Sequence, residues 1–109
     1  MAELKAASGA KATAVARRDA SGVPIVKLTG EVDMSNVDSV RASVDLAIEH
    51  DPERIVFDLG ALEFMDSSGL AMLLAVAEKI SVVELRRPRP LIRRVIELTG
   101  LSTTFVVTA

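Results

Sequence analysis

Asp66-Ser67-Ser68-Gly69 is the segment of this chain whose residue types and spacing can do chemistry. Two adjacent serine hydroxyls follow a carboxylate and precede a glycine and an apolar stretch that includes Leu70, Met72, Leu73, Leu74 and Val76. That order places the serines at the N-cap or in the first turn of a helix, where side-chain oxygens accept orphan backbone N–H groups. A plain cap therefore accounts for the tetrapeptide with no further function. The same position also suits a modification. Free N–H groups and the partial positive charge of a helix start accommodate a phosphate of roughly −1.5 to −2 charge. Phosphate here would stand beside the Asp66 carboxylate and, if the loops meet, beside Asp33 of Gly30-Glu31-Val32-Asp33. It would alter any docking surface built around the helix start. Cap and switch both stay open on these residues alone.

Catalysis finds few parts elsewhere. His50 is the single histidine and no Gly-x-Ser-x-Gly elbow is present, so a Ser-His-Asp hydrolase lacks its components. His50 instead reads as an exposed residue near a helix C-terminus, where the dipole tolerates its charge. With no cysteine there is no disulfide, thiolate nucleophile or structural zinc site. Asp33 and Asp66 could together hold magnesium, but two loop carboxylates are better explained as caps or partner contacts, and no metal or cofactor is expected. Glycine-rich phosphate loops are missing too. Arg86, Arg87, Arg89, Arg93 and Arg94 crowd one segment, yet the chain has no Tyr or Trp for base stacking and carries a net charge of −2. They read as a solvated face or a contact for an acidic protein, not for nucleic acid. No catalytic residue is assigned and the chain is not read as an enzyme; the contrary reading, a small phosphotransfer enzyme, predicts turnover by the purified protein alone.

The elements that must position this motif follow from periodicity. The 109 residues, half of them apolar, suit one domain with a buried core. Residues 1–12 show no apolar period and read as a flexible tail, leaving residues 13–109 as the domain. Ala12–Ala16 is a short edge strand, and Ser21-Gly22 turns it into a second strand over 23–29. Ser35-Asn36-Val37-Asp38 resembles a loose capping box ahead of a helix over 36–49, whose buried face is Val37, Val40, Val44, Ala47 and Ile48. Asp51-Pro52 ends it. Arg54–Leu59 is a buried strand, Gly60 starts a connector, and residues 69–80 form a central helix. Ser81–Leu85 is the next strand. Pro90 opens a third helix with a buried stripe of Leu91, Ile92, Val95, Ile96 and Leu98, closed by Gly100; Thr104–Val107 is a last strand. Strands alternating with helices predict crossover connections and a mixed or largely parallel sheet of the α/β class. No apolar run is long enough to span a bilayer and Met1–Lys5 has no signal core, so a cytoplasmic protein without membrane insertion is expected. Charge is uneven: residues 30–84 carry twelve acids against three bases, and residues 85–109 carry five arginines against one glutamate. Such asymmetry concerns partners rather than fold.

Phe64-Met65-Asp66-Ser67-Ser68-Gly69-Leu70 resembles the signature of STAS domains in anti-sigma factor antagonists. Gly30-Glu31-Val32-Asp33 is similar to the family's Gly-Glu-(Leu/Val)-Asp loop, Val56–Leu59 to its central strand, and Arg93–Leu101 to its third helix. The likeness covers residues 23 to 101 in order. It implies a single STAS-like domain, a mixed β-sheet with helices packed on one face. It also implies that Ser67 is phosphorylated by a partner anti-sigma factor acting as an ATP-dependent serine kinase. Asp33, Asp66, Ser68 and Gly69 would neighbour the phosphosite, with Ser68 mainly a cap. In the family the unphosphorylated form binds the anti-sigma factor and frees a sigma factor; the phosphorylated form lets go until a phosphatase restores it. Two departures stand out, a shorter turn after Lys79 and the lack of a last helix, and the second motivates an expected homodimer. Within the same fold, the rival reading is a non-switching STAS subunit that binds the ATPase of a lipid ABC transporter.

Overall fold

The computed structural model describes residues 12–100 and 103–109, together with the backbone of residues 4–7. Nine elements follow one another: β1 (Leu4–Ala7), β2 (Ala12–Arg18), β3 (Pro24–Val32), α1 (Val37–Ala47), β4 (Arg54–Met65), α2 (Ser67–Lys79), β5 (Val82–Arg86), α3 (Pro90–Leu98) and β6 (Val106–Thr108). The strands form one sheet in the order β1-β2-β3-β4-β5-β6, so each strand lies beside its predecessor in the chain. The β1-β2 and β2-β3 pairs are antiparallel; β3-β4, β4-β5 and β5-β6 are parallel. Among the described residues no helix is long and apolar enough to cross a membrane.

This order decides where the helices go. Crossovers between parallel strands are almost always right-handed. Here each crossover steps to the next strand in the same direction, so all three helices land on one face. Side-chain parity agrees. Ala12 and Ala14, Val26 and Leu28, Ile55, Phe57 and Leu59, and Val83 and Leu85 share one buried cluster with Val40 and Val44 of α1, Leu73 and Val76 of α2, and Ile92 and Ile96 of α3. Each Val, Leu, Ile or Phe among them contributes about 1.5–3 kcal/mol by leaving water. The alternate residues Val15, Lys27, Asp58 and Glu84 belong to the other face.

That uncovered face buries charge without a covering layer. Glu84 on β5 accepts from Arg54 Nη2 of β4 (2.6 Å), from Arg86 Nε (3.0 Å) and from Thr108 Oγ1 of β6 (2.9 Å), tying three strands together. Burial alone would raise its pKa, but these donors outweigh it and hold the carboxyl below the usual glutamate range. Asp58 follows the same logic: burial opposes ionisation, while the Gly60 amide and the Arg87 guanidinium at 2.7 Å leave its pKa lowered. Three of the five clustered arginines are thus used internally, because Arg89 Nε also donates to the Gly60 carbonyl at 3.2 Å. Only Arg93 and Arg94 match the expected solvated face.

Four local expectations change. Residues 4–7, read as part of a tail, pair with β2, which is therefore not an edge; residues 1–3 and 8–11 lie outside the described residues. The expected connector after Gly60 is the second half of β4. Lys27 pairs with Asp58 and Thr29 with Ala61, then Gly30 pairs with Leu62 and Glu31 with Phe64, so β4 gains one extra residue at each of two bulges. Its buried positions consequently pass from Ile55, Phe57 and Leu59 to Leu62 and Met65, a spacing of three that conceals a strand. The capping box does not form at α1: Asn36 makes no cap hydrogen bond and Ser35 Oγ donates to Asp33. Finally, α3 buries only Ile92 and Ile96; Leu91 and Leu98 of its predicted stripe are exposed, by 56% and 74%. Near the sheet's edge α3 has one row of side chains to bury rather than a wide face. At the end of α1, Asp51 adopts a left-handed φ of 51° and donates its amide to the Ile48 carbonyl, which stops the helix ahead of Pro52.

Candidate functional site

The site forms where β3 and β4 end side by side. Val32 pairs with Met65, and the Asp66 amide donates to the Val32 carbonyl at 3.1 Å, so the loop after β3 and the start of α2 leave the sheet together. This is the carboxyl edge of the parallel strands, the usual position of binding sites in open α/β sheets. The loop after β3 is held internally. Asn36, 2% exposed, donates to the Glu31 carbonyl at 2.9 Å and accepts from the Asp33 amide at 3.0 Å. Asp33 in turn accepts from the Ser35 amide at 2.9 Å. Asn36 was not singled out from sequence; nothing in its neighbours distinguishes a loop staple from an ordinary N-cap.

Asp66, not either serine, caps α2. Its Oδ1 accepts from the Ser68 amide (2.9 Å), the Gly69 amide (3.3 Å) and the Ser68 hydroxyl. Its Oδ2 accepts from the Met34 amide at 3.3 Å, which ties the two loops to each other. The Ser68 hydroxyl bond and then the backbone donors hold the Asp66 carboxyl below the usual aspartate range. Two consequences follow, the first of which corrects the sequence reading. The amides expected to be free for phosphate at positions 68 and 69 already serve a carboxylate. The serine pair is also split by role: Ser68 is half-buried and its hydroxyl is spent on Asp66, whereas Ser67 is exposed and its hydroxyl has no hydrogen-bond partner among the described residues.

Gly69 is required by contact. A Cβ at this position would lie 2.3 Å from Met65 Cγ and 3.2 Å from Val32 Cγ1, so only glycine lets the first turn of α2 press onto the ends of β3 and β4. The structure therefore brings Asp66, Ser67, Ser68 and Gly69 into one turn and sets the Asp33 loop against it through Met34. Both Asp66 oxygens are engaged by N–H and O–H donors, and among the described residues no group of three metal-ligating side chains occurs. His50 follows α1 at the opposite end of the helix layer from Ser67, exposed and 3.7 Å from Glu49.

Residues 15–108 match the family model described as Mlab, STAS domain. The chain belongs to the STAS domain family. Its curated relatives include an anti-sigma F factor antagonist of Paenibacillus polymyxa, 38% identical over 73% of each chain. A solved anti-sigma factor antagonist from Mycobacterium paratuberculosis superposes with a TM-score of 0.82 at 32% identity, covering 94% of this STAS domain and 89% of that chain. The anti-sigma factor antagonist SpoIIAA, solved in unphosphorylated and phosphorylated forms, superposes with TM-scores of 0.74 and 0.68 at 25% identity; each match covers 88% of this chain, and 88% and 91% of the respective SpoIIAA chains. The resemblance to anti-sigma factor antagonists and the mixed α/β sheet expected from it both hold for this STAS domain.

Proposed function

We propose that this STAS domain acts in the cytoplasm as an anti-sigma factor antagonist whose binding is switched at Ser67. Unphosphorylated, it binds an anti-sigma factor that is also an ATP-dependent serine kinase, and a sigma factor is freed. Transfer of the ATP γ-phosphoryl group to Ser67 Oγ releases the partner, and a phosphatase resets the cycle. The observation that carries this reading is the asymmetry of the serine pair: the Ser67 hydroxyl is exposed and has no hydrogen-bond partner among the described residues, while Ser68 is tied to the cap. The relatives' names and the existence of SpoIIAA in a phosphorylated form support it. The physics of release is local. A phosphate on Ser67 meets the ionised Asp66 next to it, and the Ser68 and Gly69 amides already serve that carboxylate, so repulsion and desolvation dominate over helix-dipole attraction.

Incubation with ATP and each candidate serine kinase from the same cell, followed by mapping of phosphate by mass spectrometry, tests the proposal. Phosphate is expected on Ser67 and not on Ser68, and the Ser67→Ala variant should bind the kinase yet lose all sensitivity to ATP. Equal ATP sensitivity of wild type and Ser67→Ala would remove the switch. The matched family model's name, Mlab, favours one rival, a STAS subunit binding the ATPase of a lipid transporter through the same helix start; it predicts tight binding with no phosphate at any serine.

A further inference from the structure

We infer that Met34 and Phe64 are the apolar anchors by which the kinase grips the Ser67 edge, and that the partner surface facing them is an apolar patch with basic residues at its rim. The inference rests on the reading of Ser67 as a kinase-docking switch and adds the residues and the partner chemistry. Met34 is 80% exposed, the highest value among the large apolar side chains described as exposed, and Phe64 is 43% exposed. The chain has three phenylalanines and no tyrosine or tryptophan; Phe57 and Phe105 are buried, so Phe64 is the aromatic residue left to solvent. Both belong to segments that meet at the switch. Phe64 lies three positions before Ser67, and the Met34 amide is bonded to the cap carboxylate directly preceding it. Met34 stands on a loop braced by Asn36 and Asp66, so its backbone is fixed before any partner arrives.

Aromatic residues and methionine are enriched at the centres of protein interfaces, with charged residues at the rim. Among the described residues, two exposed acids stand beside Phe64: Glu31, its register partner, and Glu63, its neighbour in the chain. An apolar centre with an acidic border calls for a partner with the reverse border. It also explains why phosphate expels the partner rather than attracting those bases. The dianion would be placed in the apolar centre, away from the rim cations, and would have to shed its water.

The test uses the kinase found to phosphorylate Ser67, with binding measured by calorimetry to the full chain in its unphosphorylated form. Met34→Ala and Phe64→Ala are each expected to weaken binding roughly tenfold or more, while Leu46→Ala and Leu98→Ala, on exposed parts of α1 and α3, change it less than about twofold. Phe64→Leu should recover most of the loss, and Met34→Ala, at so exposed a site, should leave the unfolding midpoint unchanged. Wild-type affinity in both anchor variants, or a larger loss at Leu98, would overturn the inference while leaving the Ser67 switch intact. Failure of the wild-type chain to bind any serine kinase would overturn both.

Discussion

The starts of α2 and α3 occupy equivalent places, each just beyond a parallel strand at the same edge of the sheet, and they are built in opposite ways. At its third position α2 has Gly69, pressed against Met65 and Val32, whereas α3 has Ile92, which inserts its own side chain into the core. At its N-cap α2 has a carboxylate that uses both oxygens, whereas α3 has Arg89, which makes no side-chain cap bond, followed by Pro90. A helix start with cations around it and uncompensated amides welcomes anions; one already neutralised by aspartate resists them. The serine pair sits at the resisting start. That placement suits a phosphate meant to disturb a contact more than one meant to be cradled.

The comparison breaks most visibly at Gly69. Gly69→Ala should destabilise the fold by about 1–3 kcal/mol in urea unfolding, because Met65 and the β4 end must shift to admit the methyl group. A neutral result would mean that α2 does not need to lie so close. A smaller effect separates the two caps by pH. The Asp66 pKa is lowered in the fold, so its cap is fully present above the ordinary aspartate value and is lost as pH falls through the lower folded value. Amide resonances of Ser68 and Gly69 should therefore titrate with a midpoint below the ordinary aspartate value in an NMR series, while those of Leu91 and Ile92 in α3 stay flat. Equal titration at both helices would erase the distinction. Least of all should follow from Arg94→Ala on the exposed side of α3. It should alter stability by less than about 0.5 kcal/mol and, in a radiolabel assay, leave unchanged the rate of the phosphorylation proposed at Ser67.

Much of this architecture is legible in the sequence because periodicity reports burial. Val37, Val40, Val44, Ala47 and Ile48 mark the inner face of α1 and its outflow into the next turn, and all five are buried. Periodicity fails where the backbone is irregular. The two bulges of β4 replace alternation by a three-residue spacing through Leu59, Leu62 and Met65, so the strand that delivers Asp66 looks like a connector. It also fails where burial depends on neighbours: Leu91 and Leu98 have the right spacing for a core stripe, but the sheet under α3 reaches only Ile92 and Ile96. At the site, the motif pointed to Ser67 and its surroundings. The choice of Asp66 as the cap, and the distinct fates of two neighbouring serines, depend on hydrogen-bond directions that residue order does not encode. Met34 drew no notice, and Phe64 only as the first residue of the signature, because a lone apolar residue in a loop or strand carries no periodic signal, although Phe64 alternates with the buried Met65.

Since every strand lies beside the one made before it, the sheet can grow in the order in which the chain leaves the ribosome. No strand must wait for a distant partner or insert between two already paired, and helices arrive on a face that their own strands have just completed. The Ser67 edge depends on β3, β4 and α2, all of which precede β5, α3 and β6. The Ser67 edge can therefore assemble before β5, α3 and β6 have joined the sheet. Mutations in α3 and β6 should accordingly act on how long the finished sheet lasts more than on whether that edge can form.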